Sequence, residues 1–319
     1  MTNSAIAVSL DTLESAIARV LGDTPADLAP LGAGAWSRAF SVTLQGQPLV
    51  ARVGKPVDDF ERDRRAATVS GPDLPVPQVL AIEPVPELGS ELYLCVSVRA
   101  RGTFIDDLDE AGMRALMPSL LATFDAMRAV DLSHTTGFGG WDAQGNAPFA
   151  TWQEALLAVR IDDPAGRGHG WLRKLEDSRF GLDAWNTLLA RQDDAVARIA
   201  PHADAIGRHV VHNDMLNFNM LCDGPRISAL FDWGCVMTGD PLYDLAWFAF
   251  WQPWYPRWQA IDFVGTTRDH LAAIGVPMPG FDDRLRACLL FIALADIAYS
   301  ASIERWHDVD AKLARSLRI

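Results

Sequence analysis

The chain has 319 residues, 49% of them apolar and 22% charged, which allows one large or two smaller domains with a sizeable core and excludes a disordered polymer. Against 41 acidic residues stand 28 basic ones, and the net charge of −13 argues against a nucleic-acid partner. It suits a cationic small molecule, although acidity also serves plain solubility.

The four cysteines, Cys95, Cys222, Cys235 and Cys288, form no C-x-x-C pair and lie at no metal-ligand spacing from a histidine. They read as reduced, mostly buried thiols of a cytoplasmic protein. The opening MTNSAIAVSLDTLES lacks the basic start and apolar run of a signal peptide. The longest apolar stretch, Ala287 to Tyr299, is interrupted by Asp296 and reads as too short to span a bilayer, so no membrane partner is expected.

In chain order, Asp11 and Glu14 form a D-x-x-E capping pattern, Leu13, Ile17, Val20 and Leu21 recur at helical spacing, and Gly22 follows as a stop. Gly32 and Gly34 punctuate a turn. Phe40 to Leu44 and Pro48 to Val53 then predict paired strands around Gln45-Gly46-Gln47. Residues 59–69 predict a helix, Leu74-Pro75-Val76-Pro77 an extended segment, and Glu91 to Val98 a central strand. Beyond Gly102 the pattern is mainly helical. Amphipathic helices are predicted over 109–130, with Leu116, Leu120, Phe124 and Met127 on one face, and over 183–200, with an irregular excursion from Thr136 to Phe149 between them. From 209 to 235 two short apolar runs flank polar residues, and beyond 240 helices continue to the end. The layout predicts an α+β, bilobal fold: a small β-rich N-terminal lobe over 1–98 and a larger α-helical C-terminal lobe over 99–319.

The chemistry concentrates in His212-Asn213-Asp214-Met215-Leu216-Asn217-Phe218-Asn219, followed by Asp232-Trp233-Gly234. An H-x-D-x-x-x-x-N element and a D-x-G element, each after an apolar run, form the catalytic pair of protein-kinase-like enzymes. Phosphoryl transfer needs a carboxylate beside the attacking hydroxyl, assigned to Asp214. It also needs oxygen ligands that hold Mg²⁺ on the nucleotide phosphates, assigned to Asn219 and Asp232. A small-residue loop from Leu31 to Phe40, containing Gly34 and Ser37, offers backbone amides to cover phosphates. Arg52 in Val50-Ala51-Arg52-Val53 supplies the cation for the α- and β-phosphates where protein kinases carry lysine. Its acidic partner is expected from the next helix, as Asp63 or, alternatively, Glu61. Gly239-Asp240-Pro241-Leu242-Tyr243-Asp244 arrives soon after Asp232, leaving no room for a regulatory activation loop, so a small acceptor is expected rather than a peptide.

In these motifs the chain resembles the aminoglycoside phosphotransferase family. Further likeness lies in Ser37-Arg38-Ala39-Phe40-Ser41, Leu74 to Pro77, Asp131 to Gly139, Thr151-Trp152, Ile227 to Trp233 and Phe250-Trp251-Gln252-Pro253-Trp254. The segments at 131–139 and 250–254 point within it to the branch that phosphorylates hygromycin B on a 4-hydroxyl. The resemblance implies a protein-kinase-like fold, ATP (or GTP) with Mg²⁺ as cofactors, and a cationic aminoglycoside as partner. It also implies that Ser97, Val98 and Arg99 form the hinge against the base. Asn213 departs from relatives that often carry a small residue there, and its side chain is expected to point away from the reacting atoms.

On the acceptor side, Trp247, Trp251, Trp254 and Trp258 fall at helical spacing, which favours core packing. Pro253 and Pro256 break that helix, so Trp251 and Trp254 could instead line a sugar wall. Asp240 and Asp244 either attract ammonium groups or brace the catalytic loop. Glu154, Asp162 and Asp163 are further candidates, and a monomer is expected. The rival readings are a kinase for another sugar, amino alcohol or macrolide, a catalytically silent kinase-like binding protein, and, more remotely, a regulatory protein kinase.

Overall fold

The computed structural model describes residues 8–34, 36–55 and 57–319; Ala35 of the small-residue loop and the first seven residues of the opening segment lie outside them. Helix α1 (Leu10–Leu21) is capped by Ser9, whose side chain accepts from the Thr12 N–H at 3.5 Å, and not by Asp11. Asp11 lies two residues beyond the cap, within the first turn, where its charge complements the helix dipole instead. Gly22 ends the helix at φ 78°, as its sequence position predicts.

Strands β1 (Ala26–Ala33), β2 (Ser37–Leu44), β3 (Gln47–Gly54), β4 (Val79–Pro84) and β5 (Tyr93–Val98) form an antiparallel sheet in the order β1-β2-β3-β5-β4. The β2–β3 turn is tighter than the sequence reading. Leu44 pairs with Gln47, leaving a two-residue loop of Gln45 and Gly46, both at positive φ, whose twist suits a hairpin. Alternation divides the sheet's faces. Phe40, Val42, Leu49, Ala51, Val53, Leu94 and Val96 pack with Leu13 and Ile17 of α1. Arg52 and Cys95, a register pair, face the other way, where Phe60 of helix α2 (Val57–Ala67) packs on Cys95 and Ile82. The alternation therefore turns Arg52 toward the rest of the chain.

After β5 the chain adds β6 (Thr103–Phe104), α3 (Glu110–Arg128), β7 (Gly139–Gly140), α4 (Trp152–Leu157), α5 (Trp171–Asp177), α6 (Asp183–Ile199) and α7 (Ala203–Ile206). Then follow β8 (His209–Val211), β9 (Met220–Asp223), β10 (Arg226–Leu230), β11 (Met237–Gly239), α8 (Tyr243–Trp251), α9 (Phe263–Ala273), α10 (Phe281–Ser302) and α11 (Trp306–Ser316). Two small sheets, β10-β9-β6 and β7-β11-β8, hold the ends of the polar motifs. Cys95, Cys222 and Cys288 are buried free thiols, while Cys235 is exposed.

Helix α10 corrects one sequence reading. With 22 residues it is long and apolar enough, by length and composition, to cross a bilayer. Here it is a core helix. Leu285, Leu290, Ile292, Leu294 and Ile297 are buried, and it packs against α5, α6, α8 and α11. Its Arg284, fully buried, makes a two-pronged pair with Asp240 at 2.8 Å on each side, and Asp240 also accepts from the Leu242 N–H. This pair ties α10 to the turn before α8, and it removes Asp240 from any contact with an acceptor.

Arg284→Met leaves Asp240 buried without its counter-charge. It is expected to cost about 3–5 kcal/mol of unfolding free energy, read as a lower urea midpoint at neutral pH.

Candidate active site

The segment between β8 and β9 folds around Asp214. His212 is fully buried, and burial pushes its imidazole down to about 3, so it stays neutral. Its Nδ1 accepts from the Asp214 N–H at 3.2 Å, which leaves Nε2 to donate to the Phe231 carbonyl at 3.1 Å. The histidine thus clips the Asp214 loop to the residue before Asp232. Asp244, at the start of α8, accepts from the His212 and Asn213 N–H groups, each at 2.9 Å. Of the two roles open to it, bracing is the one its geometry performs, and burial excludes it from ammonium binding. Asn213 stands at φ 65°, a region asparagine tolerates, and its side chain is taken up by the Tyr243 hydroxyl and the Cys235 carbonyl.

The Asp214 carboxylate accepts from Asn217 Nδ2 at 2.8 Å and from Asn219 Nδ2 at 3.0 Å. Burial pushes its pKa up to about 8; the Asn217 hydrogen bond opposes the rise, and the Asp232 charge adds to it. Asp296 of α10, ion-paired with Lys312 at 2.7 Å, contributes further negative charge. Asp232, at φ 63°, is pushed up to about 6, by burial first and then by Asp63, with Arg52 pulling the other way. Its side chain remains 55% accessible.

Arg52 meets Asp63, not Glu61, which pairs on the surface with Arg64 at 3.4 Å. Burial works against the Arg52 charge, but Asp63 above all outweighs it and raises the pKa. Asp63 also accepts from the Trp233 N–H at 2.7 Å, and Arg52 lies 3.9 Å from Asp232. One carboxylate therefore joins β3, α2 and the Asp232-Trp233-Gly234 turn. A cleft of about 400 Å³ adjoins it, walled by Leu31, Ala39 and Val50 on one side and Leu221 and Phe231 on the other. Ser97, Val98 and Arg99 line it too, together with Arg52 and Asp63. Gly34 and Ser37 stand apart, in the β1–β2 turn, where the Gly34 N–H donates to the Ser37 carbonyl at 2.9 Å.

Among the described residues no group of three or more His, Cys, Asp or Glu is placed to hold a metal alone. Asn219 bonds Asp214 through its amide nitrogen, which leaves its amide oxygen as a donor. With the Asp232 carboxylate it makes a hard, incomplete oxygen set, the kind that holds Mg²⁺ jointly with substrate phosphates.

Several acceptor-side expectations change. Glu154 closes a capping box with Thr151, accepting from the Ala150 and Thr151 N–H groups, so its carboxylate is spent on starting α4. Asp163 accepts from the Ala165 N–H of its own loop, and Asp162 from the Gly170 and Leu172 N–H groups at the start of α5. Trp258 is buried and Trp251 packs at the margin of the core beneath Lys312. Trp254, stacked on Phe250, keeps an exposed face. The proline break in the tryptophan series is present: α8 ends at Trp251 and short 3₁₀ turns follow.

Residues that sequence reasoning missed lie mostly outside the motifs. Arg167, from the loop before α5, makes a two-pronged bond to Asp59 of α2 at 2.8 and 2.7 Å and lies over the Trp36 ring. Arg62 bonds both Asp59 and the Gly234 carbonyl, each at 3.0 Å. Asn217 sits inside the motif, and its place three residues after Asp214 was the available signal.

The model of the phosphotransferase enzyme family matches residues 27–279. Hygromycin-B 4-O-kinase of Escherichia coli is 34% identical over 235 residues, 73% of this chain and 64% of that enzyme, so the match spans just under two thirds of the relative. The crystal structure of aminoglycoside phosphotransferase APH(4)-Ia superposes with a TM-score of 0.76 at 30% identity, covering 97% of both chains. A thermostable mutant of it, in ternary complex with AMP-PNP and hygromycin B, gives 0.75 at 29% identity over 96% of both. The fold is thus kinase-like, with an antiparallel N-terminal sheet and a helical C-terminal part, and the chain belongs to the phosphotransferase enzyme family.

Proposed function

We propose that this chain is an aminoglycoside kinase that transfers the γ-phosphate of ATP to a hydroxyl of hygromycin B. The observation that carries the reaction is the Asp214 carboxylate, held by Asn217 and Asn219 beside Asp232, at a cleft whose charged end is the Arg52–Asp63 pair. The acceptor is supported by the relatives named for it and by the negative charge that Asp232 and Asp296 add around Asp214. Residues 1–98 act as the nucleotide lobe and 99–319 as the catalytic and acceptor lobe.

In this reading the base lies between the apolar walls against Ser97, Val98 and Arg99, and Gly34 and Ser37 close over the phosphates. Arg52 meets the α- and β-phosphates, held by Asp63 in the direction that points at Asp232. Asn219 and Asp232 would hold Mg²⁺, which supplies charge neutralisation on the phosphates. Asp214 accepts the hydrogen bond of the acceptor hydroxyl, aligns its lone pair for in-line attack and receives its proton. The exposed Trp254 face offers a wall for a sugar ring.

Purified protein with Mg²⁺ is expected to consume ATP only when hygromycin B is added, and Asp214→Asn to lower turnover by about 10²–10⁴-fold. Turnover with a different aminoglycoside or metabolite, and none with hygromycin B, keeps the kinase and discards the acceptor. Nucleotide binding without turnover on any acceptor discards the enzyme.

The same carboxylate is a stability liability. Its pKa is raised in the folded protein, to about 8 from the ordinary 3.8, so the folded state binds more protons and stability falls as pH rises between those values. Without nucleotide or metal, Asp214→Asn is expected to unfold at a higher temperature than the parent at pH 8–9. The gain of about 2 kcal/mol allows for one mismatched amide contact and disappears below pH 4. Thermal unfolding of both proteins across this range checks the sign.

A further inference from the structure

Between Asp214 and Asn219 the chain does something unfavourable. Asn217 and Phe218 are consecutive, neither is glycine, and both stand in the left-handed region, at φ 65° and 66°. Each such residue is disfavoured, because its Cβ crowds the following carbonyl oxygen, and Phe218 lacks even the local side-chain compensation open to asparagine. The gain is placement. The double left-handed step turns the chain back so that the side-chain amides of Asn217 and Asn219 both reach Asp214. Something outside the loop must hold that step.

Asp106 does so. It lies in the short turn after β6, 5% exposed, with its carboxylate beneath the loop. Oδ1 accepts from the Asn217 N–H at 3.0 Å and Oδ2 from the Phe218 N–H at 3.1 Å. Two successive backbone N–H groups converging on one anion form a small nest, and charge-assisted bonds of this kind are the strong ones. Oδ1 takes a third bond from the Tyr255 hydroxyl at 2.6 Å. Burial first, then Asp106, raises the pKa of that phenol, so it remains a donor. Tyr255 is itself fixed by stacking on Trp258, with ring centroids 4.3 Å apart and planes 5° from parallel. Arg257 anchors the Asp106 turn from below through the carbonyls of Asp106 and Asp107, at 2.9 Å each. Phe104, two residues before Asp106, meets the Phe218 ring edge-on at 5.3 Å and also lines the nucleotide cleft.

We propose that Asp106, seated on Tyr255, is a positioning residue for phosphoryl transfer: it holds Asn217 and Phe218 in the left-handed conformation and thereby keeps the Asn217 amide on the Asp214 carboxylate. The inference rests on the role proposed for Asp214. It adds that the orientation of this carboxylate is set from outside the motif, by a buried residue that does not line the cleft. Losing the Asn217 bond frees one Asp214 oxygen to rotate and removes a contact that favours its charged form.

The test compares Asp106→Asn, Asn217→Ala and the double variant. Asp106→Asn keeps the shape but sets an amide N–H against the Phe218 N–H. It is expected to lower kcat by roughly 10-fold or more, with the KM for nucleotide changed less than about 3-fold. The double variant is expected to be no slower than Asn217→Ala, because both act through one contact. Multiplying losses, or a loss confined to nucleotide KM, overturns the proposal. Tyr255→Phe removes a single donor and keeps the packing, so a folded protein with a smaller kcat loss is expected; an unchanged kcat removes Tyr255 from the device. Crystal structures of Asp106→Asn give a readout that needs no turnover. The expected result is Asn217 and Phe218 leaving positive φ and Asn217 Nδ2 parting from Asp214. An unaltered loop overturns the proposal even in a protein with no acceptor activity, whereas an inactive parent with a displaced loop counts against the assigned reaction alone.

Discussion

Asp63 is the carboxylate on which the arrangement turns. It lies on α2, pairs with Arg52 of β3 and accepts the Trp233 N–H next to Asp232. Remove it and three elements lose their common point: the strand that carries Arg52, the helix that follows it and the turn, about 170 residues on, that carries Asp232. The reach is possible because Arg52 occupies the outward phase of an otherwise apolar strand, a phase that alternation alone decides. A one-residue slip of β3 would place the guanidinium among Leu13, Phe40 and Leu94 and leave Asp63 buried without a partner. The register of the N-terminal sheet and the chemistry of the cleft are therefore one constraint.

Around this point the protein uses carboxylates as scaffolding more than as bait. Asp244 holds the His212 and Asn213 amides, Asp106 those of Asn217 and Phe218, Asp63 that of Trp233, and Asp240 that of Leu242 together with Arg284. Each is nearly inaccessible, and each fixes a turn whose backbone N–H groups could not be paired in a helix or strand. These four carboxylates, which in sequence read like any other part of the acidic surplus, are thus internal. The smaller set around Asp214 is different: desolvation is the first cause that raises the pKa of Asp214 and of Asp232, Asp232 and Asp296 add to the rise at Asp214, and Asp63 adds to it at Asp232. Desolvated charge of this kind would be relieved by a bound cation.

How legible this was depended on whether a local rule applied. The β2–β3 hairpin, the α1 stop at Gly22, the long α3 and α6, and the break after Trp251 all follow from turn residues or apolar periodicity, and the folded chain has them. The Asp214, Asn219 and Asp232 motif is local as well, so its members could be picked out one by one. Glu154 and Asp240 were misread for a common reason: a carboxylate near the right segment says nothing about which way it points. Glu154 had a local explanation that was available, because Thr151-Trp152-Gln153-Glu154 is itself a capping-box pattern. Asp240 had none, since its partner Arg284 lies 44 residues on, inside an apolar helix where a charge reads as a defect.

The contacts that escaped notice share a second feature. Asp106 to Asn217, Asp59 to Arg167 and Arg62 to Gly234 each span about a hundred residues or more. They join segments whose own sequences look like ordinary turns or helix surface. The last two tie α2 to the helical remainder and are what a cleft between that remainder and the N-terminal sheet needs to keep its geometry, because the apolar cores on the two sides are largely separate clusters and offer little directional guidance. Dispersion and burial hold each part together; hydrogen-bonded charges, which have direction, set one against the other. The same directionality, acting within the C-terminal part, lets the loop after Asp214 hold two left-handed residues in succession. Strain in a turn is tolerated where a fixed anion from another part of the chain receives the amides it exposes, and Asp106 stands where such an anion has to be.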